Sequence, residues 1–592
     1  MALTIATWRK WPDVLIDFGR ELYVPWQLST GKVLYSEIAY FNGPFSPYFN
    51  ALLFRIFGVS LTTLILSNLA ILAVTTGMIY RFFSQVCDRL TATVCCCIFL
   101  AVFGFADLIE TGNNNFVTPY SHELTHGIAL ATAMILCLRQ YSLSRKRSHA
   151  LMAGVLLGFV FLTKAEVFLA AAVTALLGFG LLHLVAPLRD RKTLALGFAC
   201  AAILPAGLFL AFLATQIPTG EALRGTAGTW LPLLQSDVTQ SIYYKRSAGL
   251  DMPTEKLGRM FLTFAAVVLL AGAIATADVA RTFQARVKRL LLSASLILFV
   301  LSCLIKRSSD LWLLVTGFPV PWMLLGASLP FVTLASGFVL LVALQRSIRD
   351  EEKLRLLQLI LWATFSLGLL GKLFLFPRLY EYGFALAMPA TLMLVATFAK
   401  LMPDALRKLY GTGDLFRRVA LAALVADALF FLMVSMKSYS EKTVFVGYGG
   451  DTIVAAEQQF DPRGIVVSRA LQRIEALVPA NATFLVLPEG VMLNYLTRRT
   501  NPTPYINFMP PEMLMFDESK MLAAIRNHPP DFVLLTARST GEYGVKSFGS
   551  DPDFGKQIMD WVKLNYSLME QIAPDPEAKR PFDIKILRRV PE

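Results

Sequence analysis

Charge is scarce in this chain. Only 16% of its 592 residues are Asp, Glu, Lys or Arg, 55% are hydrophobic, and the mean hydropathy is +0.55. A soluble domain carries about 25% charge, so that class is excluded for most of the length. The net charge of +13 does not make this a nucleic-acid binder, because the cations stand in short loops between apolar runs, where they set orientation. Cysteine is sparse as well. Cys87, Cys95, Cys96, Cys97, Cys137, Cys200 and Cys303 all fall in apolar runs or in loops assigned below to the cytoplasmic side, so no disulfide framework is implied. No glycine-rich phosphate loop, internal repeat or low-complexity segment is present.

What the chain has instead is membrane-length apolar sequence. Runs near the spanning length occur at 60–80, 90–109, 123–142, 193–215, 259–278, 319–345, 354–376, 383–399 and 419–436. The stretch 150–186 is too long for one helix and is broken at Lys164-Ala-Glu166, which predicts two helices meeting there; 290–304 is a further short candidate. About twelve spans result, giving a polytopic α-helical membrane protein. Arg and Lys cluster in alternate loops (81–89, 139–147, 189–192, 281–289, 346–353 and 400–418), which are therefore expected in the cytoplasm. The loops 1–58, 110–122, the Lys164 break, 216–258, 306–318 and 377–382, and everything after 437, then face outward.

Three parts follow: a first outer loop at 1–58, a transmembrane bundle at 59–436, and a C-terminal extracytoplasmic region at 437–592. In the last, ATFLVLP (482–488) and DFVLLTAR (531–538) read as buried strands, with helical pieces at 492–496 and 520–527, so a small soluble α/β domain is expected. An even span count puts both termini outside. Residues 1–16 are too short to span or to serve as a signal segment, so a further amino-terminal helix is expected ahead of them, the alternative being an N-out tail that crosses unaided.

The outer loops carry the chemistry. The first holds Asp17, Glu21 and Glu37 with Arg20 and Lys32 among aromatics and prolines. Asp17 and Glu21 are spaced i, i+4, so a helix opening the loop would present both from one face. One carboxylate there could deprotonate an acceptor hydroxyl; a pair could hold a divalent metal, and an ordinary solvated loop with incidental ion pairs is the alternative. The second outer loop enters a membrane helix through His122-Glu123-Leu124-Thr125-His126, which matches the H-E-x-x-H zinc pattern. A third ligand would have to come from a later span, and these offer little beyond Asp278, near the wrong end, and Asp427. The other readings are that His122 and Glu123 face the cavity of Asp17, as metal ligands for Mg²⁺, Mn²⁺ or Zn²⁺ or as phosphate donors, with His126 nearby, or that Ser121 simply caps a helix.

Lys164 and Glu166 interrupt their apolar run either as a self-satisfied pair or in contact with a lipid phosphate. Near a later span, Arg378, Tyr380, Glu381 and Tyr382 read either as a phosphate clamp or as an interfacial aromatic belt with a snorkelling arginine. In the C-terminal region Glu489, Asn494, Arg498, Arg499 and Glu542-Tyr543-Gly544 are candidates for shaping acceptor access, or for packing alone.

The Asp17-containing first loop, the LTKAE break, the RLYEY segment followed by Pro389 and the C-terminal region together resemble the GT-C superfamily of membrane glycosyltransferases. The nearest likeness is to the dolichyl-phosphate-mannose mannosyltransferase, aminoarabinose transferase and RgtA/B/C/D-like group. That resemblance implies a polyprenyl-phosphate sugar as donor, inversion at the anomeric centre, Asp17 as the first-loop catalytic carboxylate, and an odd span count with an extra amino-terminal helix. The HELTH string departs from the acidic second-loop motif of some members. The expected assignments are thus Asp17 and Glu21 as catalytic, Lys164, Arg378, Tyr380 and Tyr382 at the donor phosphate, His122 and Glu123 as metal ligands, and Glu37, His126 and Glu166 lining the acceptor cavity. The partners expected are a polyprenyl-phosphate-linked sugar and the lipids of the plasma (inner) membrane, and the acceptor a lipid, glycan or protein. A flippase or transporter of lipid-linked glycans is the chief rival, although its sites lie near the bilayer midplane, often between repeats, whereas these charges crowd one surface. A polymerase acting on lipid-linked glycans is closer in chemistry, and an intramembrane metalloprotease is the third possibility.

Overall fold

A computed structural model describes residues 1–185, 190–307, 322–550, 554–576, 578 and 580–591. The expected loop 306–318, the start of the 319–345 span and Arg189 lie, wholly or in large part, outside the described residues.

Among the described residues, nine helices are long and apolar enough to cross a membrane: Leu61–Val86, His122–Ser144, Ala165–Val185, Arg191–Ala214, Ile242–Thr282, Gly326–Arg346, Asp350–Leu373, Gly383–Tyr410 and Asp414–Ser440. Two shorter apolar helices, Arg89–Gly104 and Arg147–Phe161, accompany them, and the 290–304 candidate lies within the helix Ala285–Arg307. Their outer faces carry exposed Leu66, Val74, Leu176, Ile203, Leu208, Phe338 and Leu429, an arrangement costly in water and natural in lipid. The break at Lys164 is real: one helix ends at Phe161, the next begins at Ala165, and Leu162 and Thr163 turn between them. The carbonyls of Leu162 and Thr163, freed by the break, accept from the N–H groups of Phe45 and Gly43 in the first loop.

Alternate loops gather at opposite ends. At one end Asp88, capping Arg89–Ile98, meets Arg417 at 2.7 Å and Lys400 at 3.6 Å, Arg407 bridges Asp404 and Asp414, and Lys408 reaches Glu352. At the other, the first loop, the 110–122 loop, the Lys164 break, the 216–258 segment and the 376–383 turn are laced together. The Ala165 N–H donates to Thr229 Oγ1, Arg20 donates to the Tyr120 carbonyl, and Arg378 donates to the Ser247 carbonyl.

After Ser440 the chain forms a hairpin, β1 (Lys442–Val446) and β2 (Ile453–Ala456), then a four-stranded sheet. Its strands are β3 (Phe484–Leu487), β4 (Phe532–Thr536), β5 (Tyr566–Ile572) and β6 (Ile584–Arg589), ordered β3-β4-β6-β5, with β3 and β4 parallel and the other neighbours antiparallel. The two continuous apolar runs read as strands are β3 and β4, and their lack of alternation has a cause. Phe484 and Val486 pack into the large core shared with the first loop and bundle, while Leu485 and Leu487 pack with Phe508, Met521, Ile525 and Val533 on the other face. The same large core holds Trp11, Phe18, Leu22 and Tyr23 with Leu64, Leu124, Met492 and Tyr495. Sheet, first loop and membrane helices thus share one interior.

Candidate functional site

The first loop folds as a helix, Phe18–Ser29, laid against the C-terminal helix Met492–Thr497. A Cβ on Gly19 would sit 2.5 Å from the Met492 amide nitrogen, so only glycine permits that approach. Asp17 is the residue before the helix, and its backbone is strained: φ is 56°, ψ is −62°, and the Phe18 N–H donates to the Ile16 carbonyl at 2.6 Å. This is a γ-turn of the rare positive-φ kind. The surroundings over-determine it. Asp13 Oδ1 accepts from the Leu15 and Ile16 N–H groups at 2.9 Å each, Asn113 Nδ2 donates to the Ile16 carbonyl at 2.7 Å, and Asp13 Oδ2 is held by Arg463 at 2.8 Å. Strain held this firmly marks positions where orientation matters.

The Asp17 carboxylate makes no hydrogen bond or ion pair among the described residues, and it keeps a partly open face. Its nearest charges are Glu489, Arg20 and Arg538. Burial and the Glu489 charge push its pKa up to about 8 against the opposing pull of the two arginines. Glu489, just after β3, is bonded to Arg538 at 2.8 Å, and the Asp17 N–H lies 3.5 Å from its Oε1. Glu512 stands near the same charges; burial, with the Glu489 charge adding to it, raises its carboxyl to about 7.

Glu21 does not share a face with Asp17, because the helix starts only after Asp17. It turns instead to the second loop: Glu21 Oε2 accepts from the His122 backbone N–H at 2.9 Å and from its Nδ1 at 2.6 Å, and Oε1 meets Arg20 at 3.2 Å. Glu21 is the cap of the helix beginning at His122, in place of Ser121, whose hydroxyl donates to Glu123. Burial alone would raise Glu21, but the His122 contacts and the Arg20 charge carry it below its ordinary value.

The H-E-x-x-H reading is corrected here. His122 Nδ1 is taken by Glu21 and its Nε2 by the Asn68 amide at 3.0 Å, so neither nitrogen has a lone pair to give. Glu123 accepts from Tyr40 and Ser121. His126 is buried edge-on between Phe45 and Phe49, with Nδ1 on Ser46. Among the described residues, no three His, Cys, Asp or Glu side chains are grouped to hold a metal ion. The residues expected to bind a divalent metal do not fit one.

Besides Arg538, already held by Glu489, three of the described cations around the mouth are committed. Arg20 holds Glu21, Lys372 holds Glu166 at 2.5 Å, and Arg378 is saturated by Glu381 and by the carbonyls of Ser247 and Phe376. Arg378 therefore pins the tight 376–383 turn, at the position where a phosphate clamp was expected. Nor do Lys164 and Glu166 satisfy each other. Lys164 is buried, stands 5.1 Å from the Tyr120 ring centroid and has no hydrogen-bond acceptor among the described residues; burial and the Lys372 charge lower it to about 8. Tyr120 packs on Tyr382 at 5.2 Å, Lys372 sits over the Tyr382 ring, and the Tyr382 and Tyr243 hydroxyls are 2.5 Å apart. Tyr380 stands apart beside Arg378 and Arg259. Glu37 is exposed and only closes its own turn on the Val33 N–H, which removes it from any cavity. Asn494, Arg498 and Arg499 are structural: Asn494 and Arg499 bond neighbouring carbonyls, and Arg498 pairs with Asp451.

Sequence reading missed Lys372 and Asn68, although a lone lysine and a lone asparagine in apolar runs are themselves signals. It also missed Asp13, Asn113, Tyr40 and Arg538, whose roles exist only through partners distant in sequence.

No family model matches the chain, and no curated protein matches it. Among solved structures, it is similar to the Archaeoglobus fulgidus oligosaccharyltransferase in complex with Zn and sulfate, at 14% identity and a TM-score of 0.44, over 90% of this chain and 68% of that one. It is also similar to ArnT from Cupriavidus metallidurans bound to undecaprenyl phosphate, at 11% identity and a TM-score of 0.42, over 99% and 96% of the two chains. Likeness of this degree carries no inference about chemistry.

Proposed function

We propose that the chain is an integral-membrane glycosyltransferase of about twelve spans, moving a hexosyl or pentosyl unit from a polyprenyl-phosphate donor to an acceptor hydroxyl at the outer face of the plasma membrane. The observation that supports this most is Asp17, an unpaired carboxylate held in a strained turn at a membrane mouth that also contains an unpaired lysine. The acceptor oxygen attacks the anomeric carbon from the face opposite the phosphate and passes its proton to Asp17, while the bond from that carbon to the phosphate oxygen breaks and the electrons leave with the phosphate. Inversion follows from that geometry. Lys164 supplies the main charge for the departing phosphate, with Lys372 and the Tyr382 hydroxyl beside it. Glu21, Arg20 and Glu123 position the two loops around this centre.

The polyprenyl tail fits a site at the mouth of a helical bundle, where the lipid stays in the bilayer and the head group meets the outer loops. A zinc protease is not supported, since both His122 nitrogens are engaged. The test is transfer of radiolabelled sugar from purified polyprenyl-phosphate donors to candidate acceptors, with Asp17→Asn as control. Transfer by the native chain and its loss in the variant support the reading, and undiminished transfer in the variant overturns it.

A further inference from the structure

Beside this centre lies a cavity of about 230 Å³ that the catalytic scheme does not use. Four segments wall it: the first loop with Tyr35, Tyr40 and Phe41, the helix Thr219–Thr226 with Glu221 and Arg224, the following stretch with Gln235, and the helix Pro510–Phe516 with Phe516. Its volume falls below the ~300–1,000 Å³ of drug-sized pockets, which suits one compact ring and not a lipid chain. The walls mix aromatic rings with one carboxylate and one guanidinium. Glu221 and Arg224 stand three residues apart on one helix, exposed at the cavity's open side, and neither is held in an ion pair with a described residue, so both are free to meet a ligand. The fold keeps the aromatic wall close: a Cβ on Gly225 would meet the Tyr35 ring at 2.4 Å, and the Tyr35 hydroxyl is tied to the Asn42 carbonyl at 2.7 Å.

Two of the wall residues also reach the catalytic centre. Tyr40 donates to Glu123, and Phe41 receives the Arg20 guanidinium 5.6 Å from its ring centroid. A molecule seated here would therefore lie against side chains that themselves touch Glu123 and Arg20.

We propose that this cavity is an acceptor subsite for a single saccharide unit, a proposal that rests on the glycosyltransfer reading above. The chemistry recognises that class of ligand. A pyranose offers an apolar C–H face to aromatic rings and a ring of hydroxyls that both donate, to Glu221, and accept, from Arg224. An acyl chain would make no use of the two polar side chains and would need a longer apolar channel than this volume provides, and a peptide backbone would call for a strand edge or a longer groove.

Two measurements test it. In saturation-transfer NMR on the purified chain, methyl α-mannoside, methyl β-galactoside and methyl β-glucuronide serve as probes; at least one should receive saturation at its ring C–H protons, and Gln235→Trp, which fills the cavity from its rim, should abolish this. In the transfer assay, Glu221→Gln and Arg224→Met should each raise the acceptor KM about tenfold, the loss of roughly one hydrogen bond to a charged group. Donor KM and slow hydrolysis of the donor by water should be unchanged. No saturation of any glycoside, saturation that persists in Gln235→Trp, or acceptor KM values equal to the native one overturns the proposal. A native chain that binds glycosides but consumes no donor overturns the glycosyltransfer reading instead, so the two failures are distinct.

Discussion

A buried carboxylate without a counter-ion, as proposed for the base, should be costly to the fold, and the surroundings of Asp17 have that character. Its pKa is raised from 3.8 to about 8 in the folded chain, so the folded state disfavours the ionised form. The sign follows: the stability associated with a protonated Asp17 is complete below pH ~3.8, is lost as pH rises toward 8, and the ionised group weighs against folding above that. Asp17→Asn should therefore melt at a higher temperature than the native chain at pH 8, with the gap closing toward pH 4, while transfer falls by ~10²–10⁴-fold. A merely structural aspartate would lose stability and not gain it. The pH dependence of kcat/KM carries a second expectation. Asp17 must be ionised to accept a proton and Lys164, lowered to about 8, must be protonated to meet phosphate, so the profile should be a narrow bell near pH 8. Glu489→Gln removes a like charge beside Asp17 and should move the acid limb to lower pH; Lys164→Arg, always charged, should remove the alkaline limb. At this scale the sequence was informative about identity and silent about conformation. Asp17 and Lys164 stand out as charges at a membrane mouth, but nothing in the sequence shows a positive φ, or that Arg378 is saturated while Lys164 is not.

At the scale of elements, the helices were readable because length and apolarity alone decide them, and the LTKAE interruption located a helix break correctly because a lysine in an apolar run cannot remain in lipid unpartnered. The H-E-x-x-H string shows the limit of the same reasoning. Helical spacing correctly puts His122 and His126 one turn apart, with ring centroids 5.4 Å from each other, but it says nothing of what stands opposite. Opposite are Asn68 and Glu21, from two other elements, and they occupy His122 completely. The consequence is measurable. Prolonged dialysis against 1,10-phenanthroline should leave transfer unchanged, and His126→Phe, which keeps the ring between Phe45 and Phe49, should retain most of the activity; at least a tenfold loss in either experiment would restore a metal role to this helix. His122→Phe should behave differently. It removes the ring nitrogens that Glu21 and Asn68 share while the backbone N–H at 122 still donates to Glu21, so the loss is of two buried side-chain hydrogen bonds, about 1–3 kcal/mol, read as a lower melting temperature.

At the scale of the whole molecule, the 13–18 turn is held by segments far from it in sequence. The residues that hold it are Asn113 from the 110–122 loop, Glu489 and Arg538 from just beyond β3 and β4, and Arg463 from the helix Arg463–Leu477. The C-terminal region thus packs against the turn and supplies part of what holds it. Arg463 is the point at which this dependence can be cut. Its guanidinium holds Asp13 Oδ2, and Asp13 Oδ1 is what holds the N–H groups of Leu15 and Ile16. Arg463→Met leaves the buried Asp13 carboxylate without its cation; the carboxylate then protonates or turns toward solvent, and the 13–18 turn loosens. The expectation is a fall in kcat of about tenfold or more, because a displaced base loses alignment with the acceptor, with donor KM unchanged, since Lys164 and Lys372 belong to the bundle. The decisive variant is the double one. Asp13→Asn keeps an oxygen at Oδ1 for the two N–H groups but carries no charge that needs an arginine, so Arg463→Met with Asp13→Asn should recover most of the lost kcat. Failure of that rescue, in a protein that still folds, would mean that Arg463 acts through the packing of the C-terminal region and not through the turn that holds Asp17.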